Sequence, residues 1–175
     1  NALIRAGGAM PNLTGTVSFE RINPARLGEA MGISDRRLIG SIAGNMRFTA
    51  NSETWSAIFP QIEGEGEFTI QRGSFYGIDL AEAARRISDT PVQGGMTSFE
   101  QISGRMRLSP DRNRFYDLNI ASGLMQSLGY IEVAREGRLT GRLELRMKGS
   151  ANQTRLPVMV SGTLASPTVQ ATGRQ

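Results

Sequence analysis

From Ile62 onward the chain alternates strictly. Ile62, Gly64, Gly66, Phe68 and Ile70 are apolar or small, and Glu63, Glu65, Glu67, Thr69 and Gln71 between them are polar. A period of two belongs to an extended strand with one packed and one wet face, whereas a helix requires about 3.6 residues per repeat. The same alternation recurs over residues 13–19, 37–50, 99–108, 114–122, 128–135, 139–148 and 156–164. A chain built this way is mainly β (α+β). The expected architecture is a long curved antiparallel sheet, a meander, with about three short amphipathic helices.

The interruptions carry the helix and turn signals. Asn23-Pro24 supplies an N-cap and a first-turn proline for a helix over residues 24–31, with Leu27, Ala30 and Met31 on one side and Gly32 as its stop. Ser52-Glu53 opens a second short helix that carries Trp55, Ile58 and Phe59 and is closed by Pro60. Asp79 caps a third, whose apolar side is Leu80, Ala83, Ala84 and Ile87. Residues 71–74 read as a tight turn, Glu136-Gly137 as a two-residue hairpin, and Ser166-Pro167 as the end of the last strand. Strand, polar cap and short helix occur in that order twice before residue 88, as a shared unit of unequal spacing. The organisation expected is one domain over 1–175: two strand–helix units in 1–87, a linker rich in Gly, Ser, Thr and Pro at 88–98, and an antiparallel meander in 99–171.

Composition removes whole classes of chemistry. There is no Cys and no His, so thiolate nucleophiles, imidazole bases, disulfides and the usual zinc or copper ligands are missing. Ser41 and Ser161 lie near glycines without a Gly-x-Ser-x-Gly elbow, and Gly64-Glu65-Gly66 lacks the Gly-Lys-Ser/Thr of a phosphate loop. No catalytic, cofactor-binding or metal-binding residues are expected, and the chain reads as a non-enzyme. The formal charge of +4 comes from 20 basic residues interleaved with 16 acidic ones, not from a stripe, so no nucleic-acid partner is expected. The chain opens on Asn1 and contains no apolar run long enough to span a bilayer. The expectation is a fragment whose targeting segment lies upstream.

A series of short motifs adds to this reading. Arg37-Leu38-Ile39-Gly40-Ser41 is followed by Gly64-Glu65-Gly66, by Gly73-Ser74-Phe75-Tyr76-Gly77-Ile78-Asp79-Leu80 and by Gly95-Met96-Thr97-Ser98-Phe99. The series closes on Leu156-Pro157-Val158-Met159-Val160-Ser161-Gly162-Thr163-Leu164-Ala165-Ser166-Pro167. In this order, over residues 14–169, the series resembles the C-terminal region of AsmA-like proteins of the Gram-negative envelope. The resemblance implies a periplasmic body whose parent protein is anchored in the inner membrane through a segment absent from this sequence. It also implies a long curled β-sheet with an apolar concave face, a role in outer-membrane biogenesis, and movement of phospholipid between the two membranes.

The residues bear on that implication independently. Three short helices offer too few apolar side chains to cover a sheet of eight or so strands, so the sheet either curls on itself or leaves an apolar groove open. An acyl chain held there would gain about 0.8 kcal/mol per buried methylene. The candidate lipid-facing residues are Phe68, Ile70, Leu139, Leu143, Leu145, Met147, Val158 and Val160, although any one of them taken singly reads more readily as core. Glu63, Glu65 and Glu67 read as a wet strand face in preference to a Ca²⁺ site. Arg142, Arg146 and Lys148, with Arg105 and Arg107, are outer-face cations that could meet anionic headgroups. The function expected is therefore non-catalytic: binding of phospholipid or another acyl lipid, and its transport along the groove. The alternative is a scaffolding module that supports outer-membrane protein assembly through its sheet edges and binds no lipid.

Overall fold

The computed structural model describes residues 2–5, 10–26, 37–86, 90–149 and 155–172. They form a single antiparallel sheet of eleven strands. In chain order these are β1 (Ala2–Arg5), β2 (Asn12–Ile22), β3 (Leu38–Asn51), β4 (Ile62–Tyr76), β5 (Val92–Gln93), β6 (Met96–Leu108), β7 (Arg112–Ala121), β8 (Met125–Ala134), β9 (Leu139–Met147), β10 (Leu156–Gly162) and β11 (Pro167–Ala171). Spatial order follows chain order, as short connections favour, except that the two-residue β5 lies beyond β11 at the far edge.

Alternation does what the sequence implies, and glycine sets the curvature. On the inner face, Phe19, Gly44, Phe68 and Gly104 face one another across four strands, and the next row reads Val17, Met46, Gly66, Met106. Large side chains thus sit beside glycines, which lets the strands coil closely. An alanine Cβ at Gly44 would stand 2.2 Å from the Glu67 carbonyl oxygen and 3.0 Å from the Phe19 ring. One at Gly66 would stand 2.1 Å from the carbonyl oxygen of Asn45. Phe68 meets Phe115 edge to face, with ring centres 5.9 Å apart.

The sheet bends until its late strands return towards the end of β4. The Arg37 guanidinium, paired by backbone to β4 through Tyr76 N–H, donates to the Ala165 carbonyl just before β11. Gly77 lies against Pro167, whose Cγ would be 3.1 Å from an added Cβ. Between these strands sits the helix Leu80–Arg85, in contact with β6, β10 and β11. Asp79 caps it by accepting the Glu82 amide at 2.8 Å, and Leu80 and Ala83 face inward. One apolar core results, running from Phe19 to Ala171.

Several local expectations are corrected. The described residues hold two α-helical stretches, not three: residues 24–26 and Leu80–Arg85. Most of the expected helix at 24–31, and its Gly32 stop, lie outside the described residues. The helix expected after Ser52 is instead two successive 3₁₀ turns, Trp55–Ala57 and Phe59–Gln61, with Pro60 in the second. Residues 71–74 do not reverse the chain. They continue β4 through a bulge at Arg72 (φ 45°), because Gly73 lets the Ile39 carbonyl approach where a Cβ would stand 1.8 Å away. Pro167 begins a strand, where its missing N–H costs no ladder bond, and does not end the pairing. Residues 90–98, read as linker, carry β5 and the start of β6.

Candidate functional site

Seven of the eight residues expected to face lipid are between 0 and 7% exposed: Phe68, Ile70, Leu139, Leu143, Leu145, Val158 and Val160. Met147 is half-buried and packs against the same cluster. The structure brings all eight onto the inner face, where they contact protein. On this side the helix Leu80–Arg85 lies against β6, β10 and β11, and Phe115 meets Phe68 edge to face.

The inner face is not covered evenly. The helix Leu80–Arg85 packs on β6, β10 and β11 and not on the first halves of β2 and β4 or the second half of β3, where the 3₁₀ turn Phe59–Gln61 meets β3. There Val17 is 40% exposed, and Leu13, Phe48 and Ile62 are half-buried without joining the core cluster. Register places them together: Leu13 is opposite Ala50, which is opposite Ile62, and Phe48 lies one row in, between Gly15 and Gly64. Phe48 and Met46 lean over Gly64, with Phe48 Cβ and Met46 Sδ 3.3 and 3.2 Å from where a Cβ would be. The result is an apolar trough that runs out of the core along β2–β4.

Its outer end carries a greasy lip. Met10 precedes β2, and Trp55 and Phe59 lie on the 3₁₀ turns between β3 and β4; all three are exposed. The lip is held in place by Ile58, which is buried, and by the Ser52 amide, which donates to the Pro11 carbonyl at 3.2 Å. Hydrophobic alternation alone does not separate trough from core, since both share one pattern. The signal that does so is the distribution of helices.

The outer face is a charge ladder over β3–β8. Arg47, Glu65, Arg107, Arg114 and Glu132 lie opposite one another in turn. Glu65 pairs with Arg107, and Glu132 accepts from Arg114 at 2.5 Å and lies 3.6 Å from Arg112. Glu63, Glu65 and Glu67 are therefore spread along an exposed face among cations. Among the described residues no three acidic, His or Cys side chains group to hold a metal ion, and no helix is long and apolar enough to cross a membrane.

No family model, no curated protein and no solved structure matches this chain.

Proposed function

We propose that the protein is a non-catalytic lipid-binding domain of the AsmA-like kind, which takes the acyl chain of a phospholipid along the inner face of β2–β4. The observation that carries this reading is the half-open apolar trough of Leu13, Val17, Phe48 and Ile62, which meets the core at Met46 and ends at Met10, Trp55 and Phe59. The sequence resemblance supports it. In this reading the domain works in the periplasm, and its parent protein is held in the inner membrane by a segment absent from this sequence. A chain seated in the trough needs no specific polar contact, which suits a carrier that must release its cargo.

Two variants test the site. Phe48→Ser, on the half-exposed wall, is expected to abolish uptake of a fluorescent fatty acid and remove co-purifying phospholipid in native mass spectrometry, while the thermal transition moves little. Leu145→Ala, in the covered core, is expected to cost about 2–5 kcal/mol of stability with uptake retained at a permissive temperature. Absence of bound phospholipid from the wild-type domain purified out of bacterial membranes, together with no fatty-acid uptake, sinks the carrier reading.

One observation favours the scaffold reading in that event. β1 pairs only with residues 12–15 of β2, so among the described residues 17–22 of β2 have no strand partner on that side. An unpaired strand edge is a template for an added strand from an envelope protein.

A further inference from the structure

The outer-face cations fall into two groups. Arg107 pairs with Glu65, Arg105 lies 3.9 Å from Asp117, and Lys148 donates to the Ser122 carbonyl at 2.6 Å. Arg142 and Arg146, on β9, have no hydrogen-bond or ion-pair partner among the described residues. Around them the outer face also changes character. Leu128 is 46% exposed, Tyr130 42% and Met159 43%, and register sets Tyr130, Arg142 and Met159 in one row across β8–β10. Leu128, Glu144 and Pro157 form the next row. Glu144, the one carboxylate among them, is taken by Arg155 at 3.3 Å. The patch therefore presents a surplus of guanidinium charge amid exposed apolar side chains, whereas the ladder over β3–β8 is compensated.

We propose that this outer face of β8–β10 docks on an anionic membrane surface. Charge complementarity selects the occupant. Guanidinium groups match phosphate oxygens geometrically, and the flanking Leu, Tyr and Met suit the headgroup–acyl boundary. A shallow dimple of about 40 Å³ bordered by Gln126, Leu128, Glu144, Arg146 and Arg155 is too small for an acyl chain, so the contact is with the surface and not uptake. The face lies across the sheet from the trough and does not depend on it.

Flotation of the whole chain with vesicles tests the proposal. The chain is expected to float with vesicles of phosphatidylglycerol mixed into phosphatidylcholine and not with phosphatidylcholine alone, with binding falling as salt rises. Arg142→Gln weakens binding about fivefold and addition of Arg146→Gln about fivefold again, on the basis of roughly 1 kcal/mol per arginine at such a surface. Leu128→Ser with Met159→Ser weakens it at unchanged salt dependence, while Arg105→Gln and Arg107→Gln leave it unchanged. Equal binding to both vesicles overturns the proposal, as does equal loss in the Arg105 and Arg107 variants, which reports net charge alone. Failure to float with either vesicle also overturns it, and is the outcome expected if an acidic protein is the true occupant. Phe48→Ser is expected to float normally, so loss of acyl-chain uptake and loss of docking are separately readable.

Discussion

The hydroxyl of Thr97, in β6, accepts the Leu80 amide at 3.0 Å and donates to the Ile78 carbonyl at 2.7 Å. One buried side chain thus satisfies both polar groups where the chain leaves β4 and enters its helix, a place where the first amides have no helical partner. The Gly77 amide adds a bond to the Gly95 carbonyl at 2.8 Å, so the segments Gly77–Leu80 and Gly95–Thr97 hold each other.

Thr97→Val keeps the shape and removes both bonds. It is expected to destabilise the fold by about 1–3 kcal/mol, the cost of leaving buried amide and carbonyl groups unmet. Urea denaturation measures this, and Thr97→Ser should recover most of the loss. A Val variant as stable as wild type would mean that the helix is held by packing alone.

Gly66→Ala introduces a methyl 2.1 Å from the Asn45 carbonyl oxygen, so β3 and β4 must separate locally. A loss of about 1–3 kcal/mol is expected. Gly123→Ala is the control: its nearest neighbour would be Glu100 Oε1 at 3.7 Å, and its melting temperature should match wild type.

Ser127 Oγ is fully buried and has no hydrogen-bond partner among the described residues, beside Leu145 and Ile120 on the inner face. Its desolvation is uncompensated, so Ser127→Ala is expected to raise stability by about 1 kcal/mol. Calorimetry decides it. A clear destabilisation would show that the hydroxyl has a partner, such as a bound water.

Glu65 and Arg107 are both more than half exposed. Glu65→Gln should change stability by less than about 1 kcal/mol, and a double-mutant cycle with Arg107→Gln should return a coupling no larger. Addition of Ca²⁺ to wild type should leave the thermal transition where it is. A calcium-dependent rise would restore the metal reading of the three glutamates.

Much of the fold was legible because period two is unambiguous. The rows of Leu139–Met147, Leu156–Gly162 and Ile62–Ile70 appear as the alternation implies. What misled was punctuation. Gly73 reads as a turn residue, yet it serves a close backbone approach inside a strand, and a sequence does not reveal whether a glycine makes room for its own φ or for a neighbour. Pro167 reads as a stop because proline cannot donate, although the first residue of a strand need not. The trough was legible only as a class of residue. Val158 and Phe48 both alternate correctly, and what separates them is where the late strands curl and the helix lands, a tertiary outcome absent from local pattern.

The position of β5 has a kinetic consequence. The other pairings join strands that are consecutive or, for β4 with β6, separated by the helix and β5, and can zip from a neighbour, but Val92 with Val169 must close most of the C-terminal half into a ring, at a cost in chain entropy. Two paired residues cannot offset that until the helix and the Arg37–Ala165 contact are in place. The seam between β5 and β11 is then the last part of the sheet to close and the first to open, so β5 amides should exchange with solvent well before those of β4 and β6.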